Sequence, residues 1–496
     1  MNDVVWLSED TFWDQTLIRY ILKNKTHHYR IGNLKEAIVV IPTEYQDEQK
    51  VNKELSKLEK CIVICTSDEE NKFDLSKLSH PNMKLYATYP HETSADVTWL
   101  PIGYTPHSKV KGYREKTRDI YFAGQINHDH RRSMAKQLAS LDEFDYAPSA
   151  GFAQGLDKEE YINRVRSTKV SPAPRGNISP DSFRMYEALE HGSLPIPEDT
   201  EFFNKIFGHN PLSTIDTETQ WVGYCLENLQ QFPKVNNRVC AWWQRYKCDL
   251  YNEFNESDMT VVIPVSPIKS HPHTRILQET IDTIRVHTDA QIIVTFDGVR
   301  KEQEDRRKDY ELFINNFLSS GNERIYPLIF EEHTHQSGMM KEALNHIKTP
   351  YILYVEQDTP LTPDRDIEWD NCKELIRIGE ANLIRFHFEA FVPEPHKHMM
   401  IGDIENGFLR TVQWSQRPQL ASTAYYRRVM NYFSDESKSF IEDYMHGVVH
   451  NDYLRDGLQG WAQHRLYIYH PDGDIKRSYH TDGREGVPKW DDTQTF

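Results

Sequence analysis

Short, unbroken apolar runs separated by mixed polar segments set the pattern of this chain. Residues 37–42 (AIVVIP), 60–65 (KCIVIC), 83–88 and 97–101 (VTWLP) are the first four. Residues 120–122, 259–265 (MTVVIPV), 290–296 (AQIIVTF) and 351–355 continue the series. These runs are β-branched or aromatic and do not alternate with polar residues. That predicts strands covered on both faces, as in parallel sheets flanked by helices. The segments between them carry helical spacing. Over 275–285, Ile276, Thr280, Ile281 and Ile284 make one apolar face, and 338–347 has the same period. Residues 220–254 read as helical and aromatic-rich. Phe183, Tyr186 and Leu189 form another helical stripe, with Ser179 placed as N-cap, Pro180 at the first helical position and Gly192 as the stop. Strands and helices in alternation predict an α/β fold.

A chain of 496 residues has room for about three domains of ordinary size. The expected boundaries are 1–110, 111–254 and 258–496, with the polar stretch 255–258 as the joint. A hydrophobic content of 38 % with 12 % aromatics describes a globular chain. The net charge of −17 argues against a purely electrostatic grip on nucleic acid or an anionic membrane. None of the six cysteines forms a CxxC pair, so free, buried thiols of a reducing compartment are expected. No apolar stretch approaches the ~18 residues of a membrane span, and the start lacks a secretory signal pattern. A cytoplasmic location, or host cytoplasm for a viral source, is the corresponding expectation. The glycan-acceptor patterns at Asn24 and Asn255 are then chance.

The stretch 349–361, TPYILYVEQDTPL, holds the first candidate chemistry. A buried strand runs directly into Glu356, Gln357 and Asp358. Acids past the carboxyl end of such a strand lie where open α/β sheets place their ligands. Two carboxylates around one turn can hold a hard divalent ion that leaves positions open for a diphosphate. Alone, the same three residues are equally a solvated turn. Upstream, the 290–296 strand also ends on an acid, Asp297, followed by Gly298. Downstream, Glu442 and Asp443 stand in SFIEDYMHG, where an exposed helical pair is the plain alternative.

This linked order resembles the family 2 glycosyltransferases of the GT-A fold over about residues 258–483. The resemblance implies a nucleotide-sugar domain with a mixed sheet, inverting and dependent on Mn²⁺ or Mg²⁺. It implies Pro264 and Asp297 against the base and ribose, and Arg275 as a phosphate or uracil contact. Asp358 and Glu356 match the metal-motif position. Because the first acid is Glu rather than Asp, Asp358 is the firmer ligand. His480 in RSYHTDGR matches the imidazole that completes the metal shell, with His470 in IYHPDG as the alternative. Asp443 is the implied general base, with Glu442 beside it.

The N-terminal half carries a second resemblance. RDIYFAGQINHDHRR (118–132) runs from a strand through Gly124 to Arg131 and Arg132, which suits a diphosphate or an ordinary strand-to-helix turn. Residues 170–196, with RGN, DSFR, EALEHG and a following proline, resemble the exostosin-type glycosyltransferases of the GT-B fold. The match covers about 118–200, and residues 1–117 by lobe order only. It implies a pair of Rossmann-like lobes, with Arg175 and Arg184 on the diphosphate and Glu187 on the ribose. The helical stretch 220–254 is expected to brace the first lobe, with Trp242 and Trp243 in the core.

The expectation is therefore an α/β protein with a GT-B-like pair of lobes followed by a GT-A-like domain. Both halves would take nucleotide sugars and act on a glycan or on a hydroxymethylated nucleobase of viral DNA. Trp414 is a candidate stacking platform, His387 and Glu389 candidate acceptor contacts, and Arg417, Arg427 and Arg428 a candidate basic cleft. Two other readings compete. One half could be a non-catalytic scaffold. The chain could instead be a nucleotidyltransferase, although VIPVSPIKSHPH does not resemble a glycine- and lysine-rich first loop.

Overall fold

The computed structural model describes residues 1–9, 13–151, 154–216, 220–387, 392–470 and 476–481. The chain divides into two compact units. One takes Met1–Glu256 with Asn315–Asn322, the other Ser257–Ile314 with the chain from Glu323 onward. The break falls between Glu256 and Ser257.

The N-terminal unit holds two parallel sheets. Its first six strands are β1 (Asp3–Trp6), β2 (Thr26–His28), β3 (Glu36–Pro42), β4 (Lys60–Thr66), β5 (Met83–Ala87) and β6 (Val97–Trp99). They pair in the order β2-β1-β3-β4-β5-β6, parallel throughout. The second sheet uses β7 (Arg118–Gly124), β8 (Phe144–Pro148), β9 (Thr168–Ala173) and β10 (Leu194–Pro197), in the order β10-β9-β7-β8 and again parallel. The central runs AIVVI and CIVIC are buried, with only Ile62 half-buried, as their unalternating composition requires.

Gln220 to Phe254 folds as two helices, Trp221–Gln230 and Lys234–Phe254, rather than one. Pro233 at the junction cannot supply a helical N–H. The longer helix returns to the first sheet's side. Asn24 Nδ2 donates to the Tyr251 hydroxyl at 2.8 Å, and Asn255 Nδ2 donates to the Ile21 carbonyl at 2.7 Å. Trp243 is fully buried against Tyr186, and its indole N–H donates to Glu190, which also pairs with Lys247 at 2.6 Å. Trp242 is partly buried in the same cluster. Each such aromatic, once buried, contributes about 1.5–3 kcal/mol.

The C-terminal unit is built on one nine-stranded mixed sheet. Its strands are β11 (Met259–Val265), β12 (Gln291–Phe296), β13 (Ile325–Ile329), β14 (Tyr351–Tyr354), β15 (Leu383–Phe386), β16 (Met400–Glu405), β17 (Phe408–Thr411), β18 (Gln419–Ser422) and β19 (Leu466–Tyr469). The order is β13-β12-β11-β14-β18-β15-β19-β17-β16. The first four are mutually parallel, and β18 enters antiparallel between β14 and β15. The carboxyl ends of β11, β12 and β14 therefore open on one edge, where the sequence put its acids. All six cysteines are free and buried. Among the described residues no helix is long and apolar enough to cross a membrane.

Candidate functional site

In the C-terminal unit β14 ends at Tyr354, and the turn after Val355 delivers Glu356 and Asp358. Across from them the helix Ile441–Asp456 brings Glu442 in its first turn. Crowding is visible in the ionisation of Glu356. Burial first, then the charges of Asp358 and Glu442, push its carboxyl up to about 8, against a partial offset from Arg417 and a hydrogen bond from Gln336. Three carboxylates thus share one corner. Glu442 Oε2 accepts from the Gln416 amide N–H at 3.2 Å. Asp443, its neighbour, is exposed.

Residues 477–481 fold over this turn. Thr481 N donates to the Asp358 carbonyl at 3.0 Å, and Tyr479 N donates to the Pro360 carbonyl at 3.1 Å. The Tyr479 hydroxyl donates to Glu279 at 2.8 Å. These bonds bring His480 Nδ1 to 3.8 Å from Asp358 Oδ2. Metal–ligand bonds of about 2.1 Å, set between square and linear, leave ligand atoms about 3–4 Å apart. The carboxylate–imidazole pair therefore fits two ligands of one divalent ion. Among the described residues no group of three or more His, Cys, Asp or Glu side chains forms a fuller cage.

The other candidates of this unit distribute differently. Asp297 is buried, and its Oδ1 accepts from the N–H groups of Gly298, Thr334 and His335 at 2.9, 2.7 and 3.2 Å. His333 Nδ1 lies 2.8 Å from its Oδ2. The carboxylate staples the loop before the helix His335–His346. A Cβ on Gly298 would collide with the backbone of Glu332 and His333, so only glycine lets that loop close. Pro264 is partly exposed near the end of β11, in register with Thr295, and Arg275 is exposed at the first residue of the helix Arg275–His287. His470, just after β19, is buried near His387, and its backbone N–H donates to Gly407 O at 2.7 Å. Burial and the cations around it push His387 down to about 2. Glu389 lies outside the described residues.

Two expectations about the acceptor side need correction. Trp414 is not a platform: it is 1 % exposed and packs on Tyr425 and Tyr426. Arg417, Arg427 and Arg428 do not form one cleft. Arg427 caps the carbonyls of Leu344 and Ile347 at 2.9 and 3.0 Å, whereas Arg428 donates to Gln463 O and lies over Tyr425. Adjacent helical residues diverge by about 100°, which sends the two guanidiniums apart.

The residue that sequence reading missed is Gln336. It is 5 % exposed and joins both halves of the corner. Its Nε2 donates to the Tyr354 hydroxyl at 2.7 Å and to Glu356 Oε1 at 3.1 Å. Its Oε1 accepts from Ile441 N at 2.8 Å and from Gln416 Nε2. The available signal was weak: a glutamine at a helix start, two residues before a glycine.

The N-terminal unit has a different site, a cavity of ≈ 390 Å³ between its two sheets. Arg131, Arg184, Glu187, Asp181, Glu69 and Trp13 are among its walls. The helix that presents Arg184 and Glu187 is Phe183–Glu190, starting later than expected. Ser179 does not cap it; the Ser179 hydroxyl accepts from Asp181 N at 3.1 Å, and Asp181 turns inward. There Asp181 accepts from Ile102 N at 3.2 Å and from the Tyr186 hydroxyl at 2.6 Å, and burial pushes its carboxyl up to about 7. Glu187 is likewise buried and raised. It accepts from Thr105 Oγ1 at 2.5 Å and the Tyr161 hydroxyl at 2.6 Å.

Arg184 Nε donates to Ala123 O at 2.7 Å and lies across Gly124. At φ +147° Gly124 has no Cβ to strike the guanidinium, so the glycine makes room for an arginine rather than directly for a ligand. Arg131 also faces the cavity, held by the Arg175 carbonyl at 3.0–3.1 Å. Arg175 itself is turned aside, its Nη2 donating to Ile178 O at 3.1 Å. Arg132 is exposed and pairs with Asp129 at 2.6 Å.

No protein-family model matches the sequence, and no curated protein matches it. Solved structures show partial, remote likeness. The TarS 1–349 fragment of S. aureus is 12 % identical, with 46 % of this chain and 61 % of that chain covered and a TM-score of 0.29. The same fragment in complex with UDP-GlcNAc is 11 % identical over 45 % and 58 %, with a TM-score of 0.28. A mannosyltransferase from Pyrobaculum calidifontis in complex with GDP-Man and Mn²⁺ is 11 % identical over 47 % and 59 %, with a TM-score of 0.29. This chain thus spans less than two thirds of each, and likeness at that level assigns no activity.

Proposed function

We propose that the protein is a glycosyltransferase using nucleotide-sugar donors. The carrying observation is the corner after β14, where Asp358 and His480 stand as a ligand pair beside Glu356 and Glu442. Crowded carboxylates at the carboxyl edge of a mixed α/β sheet favour a cation, and a cation there favours a diphosphate. Asp358 and His480 would hold Mn²⁺ or Mg²⁺, which when bound supplies Lewis-acid neutralisation of the leaving diphosphate. Glu356, in reach of the same charge, serves the donor side. Pro264, Asp297 and Arg275 belong to the base, ribose and phosphate end, Asp297 by fixing the 332–335 loop.

Asp443 is the proposed general base. It is exposed in the first turn of its helix, where an acceptor hydroxyl can reach it, while Glu442 is turned into the corner. Attack from the face opposite the diphosphate inverts the anomeric centre. Asp443→Asn then abolishes transfer while leaving donor binding intact, whereas Glu442→Gln disturbs donor binding as well. The reverse pattern would move the base to Glu442.

The N-terminal cleft is proposed as a second, metal-independent donor site of the GT-B type, with Arg184 and Arg131 facing a diphosphate. The protein would then carry two activities on lobes 1–110 and 111–254 and a domain 258–496, acting on a glycan or a modified nucleobase. A specific observation favours the alternative of a binding scaffold: both oxygens of Glu187 are already engaged, and Arg175 is turned away. A thermal-shift screen of nucleotide sugars with and without Mn²⁺ tests the whole reading. Stabilisation that needs metal and disappears in Asp358→Ala supports the C-terminal site. No stabilisation by any nucleotide sugar overturns it.

A further inference from the structure

Gln336 is a buried side chain that touches both edges of the carboxylate corner and uses its whole hydrogen-bonding capacity to do so. A side-chain amide has two donors and two acceptor positions. Ile441 N is obligatorily a donor, so the atom 2.8 Å from it must be Oε1. The same oxygen accepts from Gln416 Nε2. Nε2 then necessarily faces β14, donating to the Tyr354 hydroxyl and Glu356 Oε1 at 2.7 and 3.1 Å. One end of the amide thus holds the end of β14 and Glu356 in the turn beyond it. The other holds the first residue of the helix bearing Glu442 and Asp443, and the loop whose Gln416 N–H contacts Glu442.

The neighbouring residue extends the same joint. Ser337 Oγ donates to Ser437 O at 2.9 Å and Ser337 N to Ser439 O at 3.3 Å, so the segment leading into the 441 helix is seated on the start of the 335 helix. The segment before it is tied further along, where Lys341 Nζ donates to Phe433 O at 2.8 Å. Gln336 alone among these reaches across to the donor-side acid.

We propose that Gln336 is a positioning residue that fixes the distance between the acids in the turn after β14 and Glu442 and Asp443 on the 441 helix. This rests on the glycosyltransferase reading above. Its logic is that of preorganised catalysis: a misplacement of about 1 Å between donor and base can cost on the order of 10²-fold in rate while leaving ground-state binding in place.

Two variants separate the two ends of the amide. Gln336→Leu removes all four bonds. Gln336→Glu keeps the oxygen that accepts from Ile441 N and Gln416 while losing the Nε2 donors. The expected result for Gln336→Leu is a fall of about 10²-fold in kcat for transfer, with donor affinity unchanged. Hydrogen exchange of the Ile441 amide should become faster in the same variant, and Gln336→Glu should restore its protection but not the rate, because the bonds to Tyr354 and Glu356 stay broken. The proposal is overturned if folded Gln336→Leu keeps the wild-type kcat, if donor affinity falls in step with kcat, or if Gln336→Glu leaves the Ile441 amide as fast-exchanging as Gln336→Leu does. The exchange readout needs no activity. If the wild-type protein transfers no sugar, the glycosyltransferase reading fails on that result alone, and unchanged exchange in Gln336→Leu would refute the clamp separately.

Discussion

The two sites handle buried acids in opposite ways. In the N-terminal cleft each carboxyl is met by neutral donors: Asp181 by Ile102 N and the Tyr186 hydroxyl, Glu187 by Thr105 and Tyr161. The cations that face that cavity include the guanidiniums of Arg131 and Arg184, which suit an anion. In the C-terminal corner the acids meet each other. Glu356, Asp358 and Glu442 repel, only Arg417 and Gln336 relieve Glu356 among its strongest neighbours, and an imidazole stands beside Asp358. A site that neutralises its acids internally can bind a diphosphate without help. A site that gathers them needs a cation first. The comparison therefore predicts metal independence for one cleft and metal dependence for the other.

The sharpest way to break that contrast is Asp358→Ala. Transfer by the C-terminal unit should fall on the order of 10³-fold, and Mn²⁺ should no longer add to thermal stability in the presence of donor. A variant that still gains stability from Mn²⁺ would put the ion elsewhere. Chelation comes next: EDTA should suppress the C-terminal activity reversibly while nucleotide binding to the N-terminal cleft, followed by calorimetry, stays as it was. Equal loss at both sites would erase the difference between them.

The third effect concerns stability and pH. Asp181 has its carboxyl raised from the ordinary 3.8 to about 7 by burial. Between those values the folded state keeps a proton that the unfolded chain releases, so stability falls as pH rises through that window and levels off above about 7. The full swing is at most on the order of 4 kcal/mol. Asp181→Asn can accept from Ile102 N without ionising, so its denaturation midpoint should vary less between pH 4 and 7. A variant with the wild-type pH slope would show that Asp181 is ionised in the fold. The smallest expected effect is on affinity. Arg184→Ala should weaken nucleoside diphosphate binding in the N-terminal cleft by about 1.5–3 kcal/mol, the range of a charged hydrogen bond. An unchanged dissociation constant would favour the scaffold reading of that unit.

Much of the architecture was legible because parallel-sheet strands announce themselves. AIVVIP, KCIVIC, MTVVIPV and AQIIVTF have no polar alternation, and each became a buried strand within a residue or two of its expected bounds. The acids at 297, 356 and 358 were legible for the same reason, since a strand end fixes which edge of the sheet its next residues occupy. The helix start near 180 was misread. Ser-Pro-Asp has the local form of a cap, yet the Asp181 carboxyl finds better partners in Ile102 N and Tyr186, contacts 79 and 5 residues away. Trp414 was misread because an aromatic amid polar neighbours has the same local signature whether it faces a ligand or the core.

By itself the sequence determined the succession of strands and helices and the sheet edge on which the acids emerge. These follow from hydrophobic period and strand direction, which are local. Only the tertiary structure decided that His480, more than a hundred residues after Asp358, comes to 3.8 Å from it, and that Glu442 rather than Asp443 turns inward. It also decided that Gln336 bridges strand and helix. Such meetings depend on how separate elements pack, and a side chain's partner across that packing leaves no trace in the spacing of its own segment.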